Sequence, residues 1–408
     1  MSEKSLQPKL RFKDYSLPWE SRRLGDFCNI FAGGTPSTSI DQYWKDGDVN
    51  WLPSGNIQDC VIKEEDIVTK ITKKGLDNSA AKLIKKDTAL LAMTGATCGK
   101  TAYLTCVSSA NQSVMAFETE KLNSKLLYFI FQKNKDFILK YQAGGAQAGI
   151  NKETCTNFEF LFPNKEEQDK IAELLTNVES LIDSNQRKLD KIVLLRRSLL
   201  EKMFPSEGKN MPEIRFNSFN EEWHIQRLDN FVSYFSGLTY SPSDITDEGT
   251  LVLRSSNVKN GEIIDADNVY VLPSAVDSEN VLNGDIVMVV RNGSRALIGK
   301  HAVIKENMPN TVIGAFMTGI RSEYPSFVSA LLETPHFEKE INENMGATIN
   351  QITGYMFSKM SFMIPENKNE QEKIGNCFRK LDDLMSLYKD KLVLLKNLKS
   401  SLLEKVLA

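Results

Sequence analysis

Three kinds of residue pattern in this chain could do chemistry, and two of them fail on spacing. The run Gly95-Ala-Thr-Cys-Gly99-Lys100-Thr101 resembles a phosphate-cradling loop, but that loop needs four residues between its glycines and this run has three. The matching stretch later in the chain, Arg291-Asn-Gly-Ser-Arg-Ala-Leu-Ile-Gly299-Lys300-His301, also fails, with five residues between Gly293 and Gly299. Both read as turns between strands. The three histidines, His224, His301 and His336, stand far apart with no Glu or Cys at ligand spacing, so no metal centre is expected. There is no Gly-x-Gly-x-x-Gly after a strand and no Gly-x-Ser-x-Gly elbow. Nor is there an Asn-Pro-Pro-Tyr or Asp-Pro-Pro-Tyr string of the sort amino-methylating enzymes carry. The third pattern is recognition. Loops rich in small polar residues recur as Gly33-Gly-Thr35-Pro-Ser37-Thr38, Pro53-Ser54-Gly-Asn56, Asn111-Gln112-Ser113 and Ala143-Gly-Gly-Ala-Gln147. Later come Arg254-Ser255-Ser-Asn257, Arg291-Asn292-Gly-Ser-Arg295 and Asn350-Gln351. Arginine addresses guanine, Asn or Gln addresses adenine, and Ser or Thr addresses phosphate, so these loops, with Lys100, are candidate nucleic-acid contacts. Each is also what an ordinary turn looks like. Lysines 73, 74, 82, 85, 86 and 100 either form a basic face on the first half or lie scattered.

The composition sets the limits. The chain has 408 residues, 41% of them hydrophobic, with 50 Lys+Arg against 53 Asp+Glu, which excludes disorder and collagen and leaves room for two to three domains. A net charge of −3 means that any nucleic-acid surface must be local. No apolar run approaches the length of about 18 residues that a membrane span needs. Met1 to Asp14 is polar and mixed in charge, so a soluble, cytoplasmic protein without membrane contact is expected. Six cysteines, at 28, 60, 98, 106, 155 and 377, are too sparse for a disulfide scaffold and read as reduced, packed thiols.

The elements that must position these loops come in two copies. Pro8-Lys-Leu-Arg-Phe12, Trp19 and Arg23-Leu24-Gly-Asp-Phe27 return as Pro212-Glu-Ile-Arg-Phe216, Trp223 and Arg227-Leu228-Asp-Asn-Phe231, each 204 residues later. Gly33 maps onto Gly237, Asn56-Ile57 onto Asn257-Val258, Gly99-Lys100 onto Gly299-Lys300, and Ile150-Asn151 onto Ile349-Asn350. Gln168 and Ile171 then match Gln371 and Ile374, and Leu199-Leu200-Glu201-Lys202 matches Leu402-Leu403-Glu404-Lys405. The ends of each copy are alike and the middle has diverged.

Each copy opens with short Val/Ile/Leu/Phe runs between Gly/Ser/Thr/Asn turns, with helical patches at Ser124–Tyr141 and Pro325–Asn344. The fold class is therefore α+β. The expected layout is a domain over 1–163, a central helix over 164–205, a second domain over 206–365 and a C-terminal helix over 366–408. The helices carry apolar residues at heptad spacing: Ile171, Leu174, Val178, Leu181, Ile192, Leu195 and Leu199, matched by Ile374, Cys377, Leu381, Leu384, Leu395, Leu398 and Leu402. These residues are the candidates for helix pairing and partner docking. Asn185 with Lys188, and Tyr388 with Lys391, interrupt the seam at equivalent places, while Leu189 and Leu392 sit one position later, which suits register control or the docking of another helix. If the seams pair, order along the chain makes the helices antiparallel, related by an approximate twofold axis, and a helix from 166 to 203 spans about 57 Å at roughly 1.5 Å per residue.

The collinear set of motifs resembles the specificity subunits of Type I restriction-modification systems. The resemblance rests on Pro8-Lys-Leu-Arg-Phe…Trp19-Glu…Arg23-Leu-Gly-Asp-Phe27, Gly33-Gly-Thr-Pro-Ser37, Tyr43-Trp44, Val49-Asn-Trp-Leu52, Asn56-Ile57, Gly75-Leu76, Gly99-Lys100 and Asn111-Gln112-Ser113. It rests also on Phe160-Leu-Phe-Pro163…Glu167-Gln168…Ile171 and its counterpart Phe362-Met-Ile-Pro365…Glu370-Gln371…Ile374. The second copy has Gly237-Leu-Thr-Tyr240 in place of Gly-Gly-Thr-Pro, so its DNA contacts do not follow from the first. What the resemblance implies is a non-catalytic subunit whose two target recognition domains each read one half of a bipartite, asymmetric site in double-stranded DNA. The helices would space the domains and dock two modification subunits. Those partners would carry S-adenosylmethionine and methylate adenine, and restriction subunits using ATP with Mg2+ could join, while this chain itself would bind no cofactor. A duplicated protein- or glycan-binding scaffold on a coiled-coil spacer is the competing reading. A fused methylase-specificity enzyme is disfavoured, because the N-terminal domain it requires is absent.

Overall fold

The structure is a computed structural model that describes residues 7–142, 149–345 and 350–408. The Ala143–Gln147 loop singled out above lies outside the described residues. The chain forms two compact units, residues 1–186 with 390–408, and residues 187–389. Each unit therefore holds one strand-rich domain and a stretch of both long helices, Lys165–Lys202 and Lys368–Val406.

In the first unit the apolar run Thr88–Ala92 is buried along its whole length, as a central strand must be. It sits in the middle of a five-stranded sheet whose order is Asn29–Ala32, Val114–Glu118, Thr88–Ala92, Thr101–Leu104 and Cys60–Ile62. A three-stranded sheet, Lys70–Ile71, Val49–Leu52 and Ser109–Ala110, completes the domain. The second unit builds two four-stranded sheets. One runs Ser233–Ser236, Met317–Arg321, Ile286–Val289, His301–Val303, and the other Ile245–Thr246, Val269–Val271, Thr250–Leu253, Thr311–Ile313. In both units a two-stranded antiparallel ribbon closes the domain, pairing Glu20–Arg23 with Glu159–Phe162 and His224–Arg227 with Ser361–Ile364. The domain's start is thus tied to the residues just before each long helix.

The helical patches are shorter than the sequence spacing predicts. The first divides into Ser124–Lys133 and Lys135–Leu139. The second divides into Pro325–Leu331 and Pro335–Asn344, because Pro335 has no amide hydrogen to continue the ladder and Thr334 instead caps the new helix by accepting from the Phe337 amide.

The long helices keep the predicted heptad but shift one of its two rows. Low exposure recurs at Ile171, Leu175, Val178, Ile182, Asn185, Leu189, Ile192, Arg196, Leu199 and Met203, in steps of four and three. The second helix repeats it at Ile374, Phe378, Leu381, Met385, Tyr388, Leu392, Leu395, Lys399, Leu402 and Val406. Leu181, Leu195, Leu384 and Leu398, expected in the seam, stand exposed one residue too early on the helix. Leu174 and Cys377 are half-buried at its edge. The apparent interruptions at Lys188 and Lys391 vanish with the corrected row, since Leu189 and Leu392 fill the seam and both lysines face solvent. The sequence reading missed this because the true row contains Arg196 and Lys399, which an apolar pattern passes over.

Those two cations occupy one slot in the two copies. In the second unit Arg196 bridges Asp382 (Nε to Oδ1, 2.5 Å) and Glu333 (Nη1 to Oε2, 2.7 Å). In the first unit Lys399 donates to Glu179 at 2.6 Å, and the Tyr128 hydroxyl donates to the same carboxylate at 2.8 Å. Each network joins both long helices to the domain of its own unit. A second repeated pair, Arg11 with Glu167 and Arg215 with Glu370, fixes the segment before each domain to the first turn of a long helix through two hydrogen bonds apiece. The cores follow the same plan. Ile171, Ala172 and Leu175 pack with Val406 and Leu407 in the first unit, and Met203 and Phe204 with Ile374 and Phe378 in the second. Within each unit the beginning of one long helix therefore lies beside the end of the other.

Candidate nucleic-acid interface

Two of the polar loops in the first unit are short 3₁₀ turns leaving central strands, Ser54–Asn56 after Val49–Leu52 and Gly95–Thr97 after Thr88–Ala92. The Thr97 hydroxyl donates to the Ser54 carbonyl at 3.1 Å and so joins them. The Asn111 amide donates to Ser54 Oγ at 3.4 Å, and Thr35 Oγ1 donates to Gln112 Oε1 at 2.5 Å. Thr35, Ser54, Asn56, Asn111 and Gln112 thus belong to one loop cluster. Ser37 and Thr38 are exposed, with the Ser37 hydroxyl 2.8 Å from that of Ser39, and Lys100 donates to the Gln58 amide oxygen. The Gly33-Gly34 pair is set by close approach, since a Cβ on Gly33 would lie 2.2 Å from the Ala110 carbonyl oxygen. Gly237 is in the same position against Gly314 at 2.0 Å. That shared contact explains why the glycine recurs although its loop does not. The lysines 73, 74, 82, 85 and 86 are all exposed.

The turn that mimics a phosphate loop is occupied by its own backbone. The amides of Cys98, Gly99 and Lys100 donate to Gly95, Ala92 and Thr97 carbonyls, and the Thr101 amide donates to Asp59 Oδ1 at 3.0 Å. No amide donor in that set is left for an anion.

The second unit assembles the corresponding loops. Ser255–Asn257 follows strand Thr250–Leu253, and Arg295–Leu297 follows Ile286–Val289. The Asn292 amide donates to Ser255 Oγ at 3.0 Å, the Asn350 amide donates to the Gly293 carbonyl at 3.0 Å, and Arg291 pairs in a β-bridge with Gln351. Arg291, Asn292, Ser255, Asn350 and Gln351 are thereby brought together. Arg291 and Arg295 are exposed and neither forms an ion pair among the described residues; Arg295 reaches only the Asn342 carbonyl and side-chain oxygen, at 3.4 and 3.5 Å.

Two expected contacts are corrected. Asn257 is fully buried, and its amide nitrogen donates to the Ala266 carbonyl and to Asn268 Oδ1, both at 2.8 Å, while its oxygen accepts from the Arg254 amide at 2.9 Å. It holds the turn closed and cannot reach a base. Arg254 is half-buried, and its guanidinium is committed to the Asp267 carbonyl. The sequence also gave no prominence to Phe316, whose ring lies beneath the Arg291 guanidinium, 5.0 Å from carbon to centroid. Aligning the two copies would have found it, because Gly314-Ala-Phe316 occupies the turn filled by Asn111-Gln-Ser113.

The described residues contain no group of His, Cys, Asp or Glu placed to hold a metal ion, and no helix long and apolar enough to cross a membrane. The six cysteines are unpaired, and Cys28, Cys98 and Cys155 are buried.

Comparison with known proteins agrees with this architecture. The chain is 23% identical over 391 residues to the Type I restriction enzyme MjaVIII specificity subunit of Methanocaldococcus jannaschii, a match covering 90% of this chain and 87% of that protein. It is 26% identical over 199 residues to the EcoR124I/EcoR124II specificity subunit of Escherichia coli, covering 47% of this chain and 48% of that protein. The crystal structure of the Type-I restriction-modification S subunit from M. genitalium has the same fold, with a TM-score of 0.68 at 17% identity over 98% of this chain and 99% of that one. The sequence profile of the Type I restriction modification DNA specificity domain matches twice, at residues 17–194 and 220–397. Both halves of the duplicated chain are covered by that profile, and the chain belongs to the Type I restriction-modification DNA specificity family.

Proposed function

We propose that this chain supplies sequence recognition to a Type I restriction-modification complex, each unit reading one half of a bipartite, asymmetric site in double-stranded DNA. The observation that carries this reading is the pair of loop clusters, built on equivalent strands and turns but furnished with different side chains. One scaffold presented twice with unlike residues suits a site whose two halves differ. Thr35, Ser37, Thr38, Ser54, Asn56 and Lys100 are the first domain's candidates. Ser255, Arg291, Asn292, Arg295, Asn350 and Gln351 are the second's.

The chain works with partners in this reading. Two modification subunits dock on the long helices, where Leu181, Leu195, Leu384 and Leu398 stand exposed at matching positions of the two copies. The partners hold S-adenosylmethionine, and restriction subunits bring ATP with Mg2+; this chain contributes binding alone. A near-neutral chain fits such a complex, because partners share the neutralisation of phosphates.

The experiment is an exchange. Replacing residues 223–362 with the corresponding region of another family member, then sequencing the methylome of cells that also express the modification subunit, should alter one half of the methylated motif. Alteration of both halves would refute the division of labour. Inserting one heptad after Asn185 should lengthen the unread gap or abolish binding. The purified chain alone, given S-adenosylmethionine and DNA, should methylate nothing.

A further inference from the structure

Of the 21 phenylalanines in the sequence, Phe316 is the one that stands out into solvent among the described residues, at 54% exposure. Single exposed apolar residues are common and by themselves mean little. Three further observations separate this one. Its backbone is held rigidly, since the Phe316 carbonyl accepts from the amides of Val290 at 3.0 Å and Arg291 at 3.2 Å, while the Met317 amide closes the turn on Gly314 at 2.8 Å. One face of its ring is covered by the Arg291 guanidinium. It sits in the candidate interface, in the turn that carries Asn111-Gln-Ser113 in the other unit. A rigid turn thus displays an aromatic ring, with a cation on one face, at the place where the other copy displays amides.

The chemistry that such a tip fits is narrow. In the major groove the thymine C5 methyl group is the one apolar feature of a base edge, and phenylalanine is among the side chains that meet it by contact. The adjoining guanidinium suits a guanine edge or a phosphate. We propose that Phe316 is a specificity-determining residue of the second unit, packing the free part of its ring on the methyl group of a thymine in the half-site that this unit reads. This rests on the reading of the chain as a DNA specificity subunit.

The test uses the full chain assembled with a modification subunit, once its methylated motif is known. Each thymine of the second half-site, on either strand, is replaced in turn by deoxyuridine, which removes only the methyl group, and duplex affinity is measured. At one position the unaltered complex should weaken by about fourfold, the value of one buried methyl group. Phe316→Ala should weaken binding to the unmodified site by about tenfold and lose the discrimination between thymine and uracil at that position, with discrimination in the first half-site intact. Phe316→Leu, which keeps an apolar contact, should restore part of the affinity and part of the discrimination. Insensitivity of the unaltered complex at every thymine, a second half-site made of G·C pairs alone, or undiminished discrimination in Phe316→Ala would each overturn the proposal. Failure of the unaltered complex to bind or methylate any bipartite sequence would instead overturn the reading beneath it.

Discussion

The turn at Asn111–Ser113 in the first unit and the turn at Gly314–Phe316 in the second have the same backbone and opposite chemistry. In both, the leading amide donates to the end of a neighbouring strand, Asn111 to Leu52 at 2.9 Å and Gly314 to Leu253 at 2.9 Å. In both, the last carbonyl accepts from the residue just past a central strand, Ser113 from Met93 at 2.8 Å and Phe316 from Val290 at 3.0 Å. Because the main chain makes every one of these bonds, the side chains are free to differ. One copy shows two side-chain amides tied to their neighbours, and the other shows a bare ring beside an arginine. A duplicated protein can in this way keep one architecture and acquire two readouts.

The severest test of that comparison makes the two units identical. A fragment ending near Lys209 lacks Val406 and Leu407, which complete the core of the first unit, yet contains Met203 and Phe204, which hold the equivalent places in the second. A second copy of the fragment should supply them, giving a homodimer that, with its modification partner, methylates an interrupted palindrome of the first half-site. Sedimentation showing a stable monomer would contradict this.

The repeated ion networks should separate the units by stability. Lys399→Met leaves the Glu179 carboxylate, 10% exposed, with Tyr128 as its remaining partner, and should cost the first unit about 2 to 4 kcal/mol. Arg196→Met leaves Glu333 and Asp382, each about one third exposed and able to hydrate, and should cost the second unit about 1 to 2 kcal/mol. Hydrogen exchange resolved by unit would show whether that order holds.

The corrected asparagine gives a finer contrast. Asn257→Ala removes three short hydrogen bonds from a sealed turn and should destabilise the second unit by about 1 to 3 kcal/mol. Asn56→Ala, at the matching position where the side chain is half-buried and makes no such set of bonds among the described residues, should change stability by less than about 0.5 kcal/mol. Equal losses on chemical denaturation would show that the two turns are held alike.

The smallest difference should emerge in alkali. Burial pushes the Cys28 thiol from near 9 up to about 11 and the Cys155 thiol up to about 12. Both groups stay protonated longer in the folded unit than in the unfolded chain. Their effect on stability is absent below pH 9, and stability falls as pH rises from there, by up to about 1.4 kcal/mol per pH unit for each thiol. The second unit contains Cys377 as its one cysteine and should lose less. Cys28→Ala with Cys155→Ala should flatten the slope for the first unit between pH 9 and 11.

What was legible in the sequence was whatever repeats or alternates. Trp19 and Trp223, the ribbons before each helix, the glycines at 33 and 237 and the long helices all follow from residues that a fold must keep in both copies. The seam was half legible. Its row through Ile171, Val178, Ile192 and Leu199 is apolar except at Asn185, but the companion row includes Arg196, whose charge is met by Asp382 and Glu333, far along the chain. The candidate site was legible as loops and not as side-chain placements. Asn257 and Asn292 look alike in a string of letters, and only the packing of residues 264–268 buries one while the other borders the exposed Arg291. Phe316 carried no signal of its own, because most phenylalanines in this chain are core.

The division of the long helices between the units has a consequence for synthesis. Residues 187–389 form one uninterrupted stretch, so the second unit is complete as soon as that stretch has left the ribosome. The first unit emerges earlier but needs Val406 and Leu407 to close its core and Lys399 to satisfy Glu179. Its loop closure spans more than 200 residues. The earlier-translated of the two domains therefore waits for the last turns of the second long helix, with Ile171 and Leu175 uncovered meanwhile, and a nascent chain halted between residues 209 and 390 offers that uncovered surface to a chaperone or to a second nascent chain.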